Sequence, residues 1–115
     1  MLQVYGIKNC NTVKKALTWL EENNISFQFH DFKKEGVNDE KLKEWESKVD
    51  WQTLVNKKGT TWKKLTAEEQ AKVKDADSAN HVLKQYTSMI KRPVVEHENG
   101  ILLGFNEEEY STTLK

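Results

Sequence analysis

The first 31 residues constrain the fold of this chain more than any other segment. Residues 2–6 are a short apolar run that predicts a strand. The apolar residues that then recur at the spacing of one helix face are Val13, Ala16, Leu17 and Leu20. Apolar residues at positions 25, 27 and 29 alternate with polar ones and predict a second strand. This order predicts a right-handed crossover between parallel strands, and the loop after the first strand lies where such sheets bind ligands.

The middle of the chain predicts a helical insertion at about residues 38–90. It contains no convincing strand pattern, but helical patterns cover residues 40–48, 51–56, 66–74 and 78–89. Thr66 and Glu69 have the spacing of a capping box, and Asp77 or Ser78 can cap the last of these helices.

The end of the chain predicts a hairpin followed by a helix. Apolar residues at 94–95 and 101–103 flank Glu98-Asn99-Gly100, which favours a tight turn between antiparallel strands. Asn106 can cap a terminal helix over residues 106–114. Together these elements predict an α/β fold with a thioredoxin-like mixed sheet, in which a parallel βαβ unit and an antiparallel C-terminal hairpin enclose the insertion in sequence.

Charge balance and cysteine usage exclude several classes of protein. Lysine plus arginine and aspartate plus glutamate both number 18, so no global basic field favours direct binding to nucleic acid. Residues 1–5 show no basic region followed by a long apolar stretch, and no segment has about 18 consecutive apolar residues, so we expect a cytoplasmic protein with no membrane contact. One cysteine cannot form an internal disulfide, which fits a reducing compartment. At 115 residues we expect one domain, 1–115, and a monomer.

Cys10 is the candidate nucleophile, because it lies where the first strand leads into a helix. Unpaired backbone N–H groups and the helix dipole stabilise a thiolate at such a place. The alternative role of a lone cysteine is that of a small buried hydrophobe. The neighbouring candidates for substrate binding are Lys8, Asn11, Thr12 and Lys14. Helix capping by the amide and hydroxyl, and solvation of the lysines, explain these four equally well.

A second candidate site element is the Arg92-Pro93 pair, which contains the only arginine and the only proline of the chain. A planar guanidinium binds oxyanions and carboxylates through paired hydrogen bonds that lysine cannot reproduce. A single arginine next to a single proline therefore indicates a requirement that lysine does not meet. Chance and a surface salt bridge remain as alternatives.

Five segments resemble the ArsC/Spx/YffB family, which includes glutaredoxin-coupled arsenate reductases, Spx-type regulators and YffB-like thiol reductases. The segments are residues 5–12, residues 29–34, residues 59–65, the Arg92-Pro93 pair and residues 104–109. The first three resemble the YffB-like single-cysteine branch, whereas the tail is similar to that of Spx. The resemblance spans essentially the whole chain.

The resemblance implies a site built on Cys10, with Arg92 as the second catalytic residue. It implies a cis peptide bond before Pro93, which brings backbone beside the sulfur at the substrate site. It also implies that the guanidinium of Arg92 points at the sulfur, where it stabilises the thiolate and binds an anionic substrate.

Two departures from the family pattern limit the function that the resemblance implies. The arsenate reductases use three arginines, and only one maps onto this chain. Lys57 lies near the first missing position, where it can partly substitute, and the other position falls near Leu103 or Phe105, so arsenate reduction itself is disfavoured. Spx-type regulators carry a second cysteine three residues after the first, where this chain has Val13, so an intramolecular disulfide switch is excluded.

The sequence therefore supports two hypotheses of function. The first is an ArsC-like thiol oxidoreductase in which Cys10 forms a mixed disulfide that a low-molecular-weight thiol, glutathione or bacillithiol, or a partner redoxin resolves. The second is an Spx-like regulator that binds the C-terminal domain of the RNA polymerase α subunit. We expect no bound cofactor and no metal, because His30, His81 and His97 lack metal-ligand spacing. A lysine patch around Lys57 either binds an anionic thiol or is simply solvated.

Overall fold

The first strand and helix lie where the sequence predicts them, in a computed structural model that describes all of Met1–Lys115. Strand β1 spans Leu2–Gly6 and helix α1 spans Asn11–Glu22. The buried residues of α1 are Val13, Ala16, Trp19 and Leu20. This is the apolar face that the spacing predicts, except that Trp19 is buried and Leu17 is only partly so.

The second strand, β2, spans Phe27–Asp31 and starts two residues later than predicted from Ile25. Asn24 has a φ of 57°, in the left-handed region, and the N–H of Ile25 donates to the carbonyl of Leu20 at 2.9 Å. The N–H of Asn24 donates to the carbonyl of Glu21 at 3.1 Å. These two bonds form the Schellman arrangement that ends a helix. Ile25 is therefore part of the helix terminus and not of the strand.

The sheet has four strands in the order β2-β1-β3-β4, with β3 at Val94–His97 and β4 at Gly100–Leu103. β1 runs parallel to β2 and antiparallel to β3, and β3 and β4 form the predicted hairpin. Val4 is paired with Phe29 on one side and with Val95 on the other, so β1 is central. The predicted fold class, a thioredoxin-like mixed sheet, is confirmed.

Helix α8 spans Glu107–Leu114 and packs with α1 into one core. Asn106 caps it as predicted, because its side chain accepts the N–H of Glu109 at 2.9 Å. Tyr110 is fully buried, and its hydroxyl donates to the carbonyl of Gly104 at 2.5 Å. The buried residues of this core are Val4, Ala16, Trp19, Leu20, Val95, Leu102 and Tyr110.

The chain divides into two compact units, which are Met1–Glu35 with Arg92–Lys115, and Gly36–Lys91. The first unit also contains the short helix α2, Phe32–Glu35. The helices of the second unit are α3 Asp39–Glu46, α4 Trp51–Leu54, α5 Thr60–Lys64, α6 Ala67–Ala71, α7 Ala76–Gln85 and a 3₁₀ turn at Thr87–Met89. No helix of the chain is both long enough and apolar enough to cross a lipid bilayer.

Helices α3, α4, α6 and α7 of the second unit overlap the predicted ones and differ from them at their ends, whereas α5 was not predicted. The capping box of Thr66 and Glu69 is confirmed. The predicted cap of α7 by Asp77 or Ser78 is wrong, because the carboxylate of Asp75 accepts the N–H of Ser78 at 2.8 Å and therefore caps the helix two residues earlier. Ser78 completes that box by accepting the N–H of Asp75 at 3.1 Å.

A partly satisfied polar contact joins α3 and α7 within the second unit. Asn80 is only 3% exposed, and its side-chain amide donates to Oε1 of Glu46 at 3.1 Å. Oε2 of Glu46 and Oδ1 of Asn80 are buried as well, and neither has a hydrogen-bond partner in the protein. Burial raises the pKa of Glu46, and the hydrogen bond from Asn80 only partly opposes this; Asp77 and Asp39 add to the rise, whereas Lys43 lowers it.

Replacement of this carboxylate by an amide should stabilise the protein. In Glu46→Gln the new amide N–H can donate to Oδ1 of Asn80 while the remaining oxygen still accepts, so we expect a gain of about 0.5–1 kcal/mol at neutral pH. A raised folded-state pKa means that the charged form costs stability above that pKa, and this cost disappears as the pH falls through it. The gain should therefore shrink in acid, as measured by urea unfolding at several pH values.

The matched control for this prediction is Glu44→Gln on the same helix. Glu44 is exposed and forms only a surface ion pair with Lys41 at 2.8 Å, so its replacement should leave the unfolding free energy nearly unchanged or slightly lower. A loss of stability in Glu46→Gln at neutral pH would contradict the assignment of Glu46 as an unfavourably buried charge.

Candidate functional site

The register of the sheet places Arg92-Pro93 beside the Cys10 loop. Tyr5 pairs with Val94 in the antiparallel β1–β3 ladder, so the end of β1 lies next to the start of β3. The loop that carries Cys10 leaves from the end of β1, and Arg92-Pro93 leads into β3. The peptide bond between Arg92 and Pro93 is cis, as the resemblance implies. Two segments more than 80 residues apart in sequence therefore meet at one end of the two central strands.

Cys10 is the N-cap residue of α1. Its carbonyl accepts the N–H of Lys14 at 3.0 Å, which is the first bond of the helix, and its own N–H donates to the carbonyl of Ile7 at 3.1 Å. Its backbone is extended, with φ −85° and ψ 127°, as N-cap residues require. The thiol is free and partly exposed. A reagent or a substrate can therefore reach the sulfur, which excludes a role as a buried hydrophobe.

The capping alternative for Asn11 and Thr12 is wrong. Both are exposed and occupy the first two positions inside the helix, where the Cys10 side chain stands in the place of the usual capping oxygen. Neither of their side chains forms a hydrogen bond. Their assignment to substrate binding stays a prediction, supported by their exposure next to Cys10.

The surroundings of Cys10 favour the thiolate. Burial raises the pKa of the Cys10 thiol, but the N–H of Val13, the guanidinium of Arg92 and the N–H of Thr12 outweigh it, so the net pKa lies below the ordinary value. Arg92 acts both as a hydrogen-bond donor and as a positive charge. The neutral thiol forms no capping hydrogen bond of ordinary geometry with the first turn, and a negatively charged sulfur accepts N–H groups more strongly than a neutral one.

Pro93 is buried, and its carbonyl accepts the N–H of Gly104 at 2.9 Å. This bond ties the start of β3 to the end of β4. That carbonyl keeps a second lone pair and proline has no N–H, so Pro93 can contact a substrate through its ring or as an acceptor, but not as a donor. The tie also holds the Arg92 backbone in place at this end of the two central strands.

The predicted lysine contacts are divided between the two units. Lys8 and Lys14 are exposed near Cys10, and neither forms an ion pair, so both can meet an anionic substrate and both can equally be solvated. Lys57 belongs to the unit Gly36–Lys91, where its ammonium group lies 5.3 Å from the centre of the Trp62 ring. Substrate binding by Lys57 stays a prediction.

The effect of the Val13 N–H on the pKa of Cys10 was not predicted from the sequence. Its side chain was assigned only to the apolar helix face, whereas its N–H is one of the groups that lower the pKa of Cys10. The signal was present, since the residue three positions after an N-cap is a usual donor to the cap side chain.

His30 and His97 form contacts within the fold, His81 is exposed, and no group of three or more histidine, cysteine, aspartate or glutamate side chains is arranged to hold a metal ion. His30 stacks on Tyr5 with ring centres 4.5 Å apart, and its two ring nitrogens lie 2.6 Å from Oε1 of Gln3 and 3.2 Å from Oε1 of Glu35. Nδ1 of His97 accepts the N–H of Asn99 at 3.2 Å in the hairpin turn.

The ArsC family matches residues 5–113. The chain belongs to the ArsC family. The resemblance drawn from its motifs is therefore confirmed, and Cys10, Arg92 and Pro93 all lie within the matched region of this ArsC-family chain.

Two solved structures and one curated relative illustrate the range of this family. A YFFB protein is 40% identical, with a TM-score of 0.94 over 100% of both chains. An arsenate reductase (ArsC) related protein from Brucella melitensis is 42% identical, with a TM-score of 0.77 over 99% of this chain and 94% of its own. The global transcriptional regulator Spx of Streptococcus pneumoniae (strain ATCC BAA-255 / R6) is 22% identical over 95% of this chain and 82% of its own length.

Proposed function

We propose that this ArsC-family chain is a cytoplasmic thiol oxidoreductase that acts through a mixed disulfide of Cys10. The observation that carries the proposal is a partly exposed thiol whose pKa is lowered by the N–H of Val13 and by the guanidinium of Arg92. A thiolate is the form that attacks disulfides, and a lowered pKa raises its fraction at neutral pH.

The proposed reaction needs one protein thiol and, for each substrate, one molecule of a small thiol such as glutathione or bacillithiol. The substrate is a mixed disulfide with the same small thiol, and the Cys10 thiolate attacks the small-thiol sulfur of that bond. The substrate S–S bond breaks, an S–S bond between Cys10 and the small thiol forms, and the substrate leaves as a thiolate that takes up a proton. A second small thiol then attacks the disulfide on Cys10, which releases Cys10 and the small-thiol disulfide, so the substrate disulfide is reduced to a thiol while the small thiol is oxidised. No bound cofactor is needed, and a partner redoxin can replace the small thiol.

The surroundings of Cys10 argue against arsenate as the substrate. Binding a tetrahedral oxyanion favours several planar donors, and this chain has one arginine. One of the positions at which the family pattern places another arginine falls near Phe105, which packs edge-on against Tyr110 with ring centres 4.9 Å apart. Such a ring offers no donor to an oxyanion.

The experiment that tests this function measures reduction of a glutathionylated peptide with glutathione as the reductant. We expect turnover that depends on Cys10, together with a mass increase of one glutathionyl group on the protein when it is treated with oxidised glutathione. Arsenate under the same conditions should give no turnover above background. Failure of Cys10 to form a mixed disulfide with either glutathione or bacillithiol would contradict the proposal.

A second candidate function is Spx-like binding to the C-terminal domain of the RNA polymerase α subunit. The likeness to Spx over 95% of this chain is the observation that favours it. Against it, the position of the second cysteine in the regulators is held by Val13, which is fully buried. Co-purification of the isolated α domain with the purified protein would support this function, and it would do so without involving Cys10.

A further inference from the structure

Gly6, at the end of β1, is in contact with the first turn of α1. A Cβ atom at this position would lie 2.8 Å from Cγ2 and 3.4 Å from Cγ1 of Val13, and 3.6 Å from Cε1 of Phe29. Gly6 is buried, and its φ is not in the left-handed region, so its backbone could be adopted by any residue. The absence of a side chain is therefore required by space and not by conformation.

Val13 has little freedom to make room for a larger neighbour. It is fully buried, and its branched Cβ is held in one strongly preferred rotamer by the helix. Phe29 closes the other side of the same space. A side chain at position 6 would therefore displace the first turn of α1 rather than only the valine methyl groups.

The first turn is also the part of the helix that acts on the sulfur. The N–H of Val13 is the largest of the groups that lower the pKa of Cys10, and it belongs to the residue that rests on Gly6. A hydrogen bond to sulfur weakens as its angle and length change, so a displaced first turn means a weaker donor.

We propose that Gly6 is a positioning residue for Cys10, because its lack of a side chain seats Val13 against the end of β1 and so aims the Val13 N–H at the sulfur. The inference rests on the proposed role of Cys10 as a thiolate nucleophile. In this proposal Gly6 acts on the sulfur through Val13.

The proposal predicts that Gly6→Ala raises the pKa of Cys10 in the native chain but lowers it when it is added to Val13→Ala. Gly6→Ala overfills the contact and should raise the pKa of Cys10, which lowers the alkylation rate at neutral pH by about 3-fold or more. Val13→Ala leaves a gap at the contact with Gly6 and loosens the first turn, so it should also raise the pKa of Cys10. In Gly6→Ala/Val13→Ala the added methyl group replaces part of the lost volume, so the pKa should return toward that of the native chain.

The test is the pH profile of Cys10 alkylation in the native chain and these three variants, with circular dichroism as the check of folding. A change that only destabilised the fold would not lower the pKa of Cys10 when Gly6→Ala is added to Val13→Ala. The proposal is overturned if Gly6→Ala has no effect on the pKa, or shifts it in the same direction in both backgrounds. If Gly6→Ala alone does not fold, Val13→Ala and the double variant still give the decisive comparison.

Failure of the proposed function would be visible separately. An ordinary pKa of Cys10 in the native chain would contradict the thiolate nucleophile itself. A lowered native pKa without the reversal between backgrounds would contradict only the role of Gly6.

Discussion

Cys10→Ser is expected to abolish thiol chemistry while leaving the protein folded and more stable. Serine cannot form a disulfide, so turnover of a glutathionylated substrate should fall by at least about 1,000-fold, to background. Position 10 is the N-cap of α1, and serine is among the best residues there because its oxygen accepts N–H groups of the first turn. We expect the free energy of unfolding to rise by about 0.5–1 kcal/mol at pH values where the native thiol is protonated.

The stability difference between Cys10→Ser and the native chain should depend on pH. A folded-state pKa below that of the unfolded chain means that the thiolate contributes stability above the unfolded pKa and loses it as the pH falls through the folded pKa. The advantage of serine should therefore shrink as the pH rises toward about 8.5. Urea unfolding at a series of pH values measures it. Residual turnover in Cys10→Ser would show that another group carries the reaction.

Arg92→Ala is expected to raise the pKa of Cys10 and slow its reactions near neutral pH. The guanidinium lowers this pKa both as a donor and as a charge, and an opposite charge at close range shifts a pKa by about 1–3 units. Arg92 is half-buried, so solvent screens part of its effect. At the low end of that general range, the thiolate fraction below the pKa, and with it the alkylation rate by iodoacetamide, falls about 10-fold.

Arg92→Lys is the matched control for this prediction. Lysine keeps the positive charge but has no planar pair of donors, so its effect on the pKa should lie between those of alanine and the native arginine. Because iodoacetamide is neutral, the comparison measures the thiolate and not the binding of an anion. Equal pKa values of Cys10 in the native chain and in Arg92→Ala would contradict the role of Arg92 in stabilising the thiolate.

The elements that the sequence predicted are those with a clear pattern of their own. β1, α1, the hairpin and α8 each have a periodic apolar face or a specific cap, and these local signals agree with the fold. The ends of elements depended on contacts that periodicity does not show. Ile25 alternates like a strand residue but completes a helix terminus, and Asp75 caps α7 although Asp77 and Ser78 are equally good cap residues.

Two short helices, α2 and α5, were not predicted. They have 4 and 5 residues, which leaves little of a 3.6-residue period to recognise, whereas α6, as short as α5, is marked by its capping box. Such helices depend on tertiary packing more than on propensity.

The candidate site was predictable in its residues but not in its geometry. Cys10 and Arg92-Pro93 could be recognised because each type occurs once, and the family resemblance joined them. Their meeting at one end of the two central strands follows from the antiparallel register of β1 and β3, which no local pattern specifies. The effect of the Val13 N–H on the Cys10 pKa, and the close contact of Gly6 with Val13, likewise depend on packing that no local pattern specifies.

The most direct test of the central claim is the ultraviolet absorbance of the Cys10 thiolate as a function of pH in the native chain. Because the chain has one cysteine, the same protein unfolded in urea supplies the reference pKa, and Cys10→Ser supplies the tyrosine background. We predict that the folded protein titrates well below the unfolded one. A folded-state pKa equal to or above that of the unfolded chain would contradict the account of Cys10 as a stabilised thiolate nucleophile.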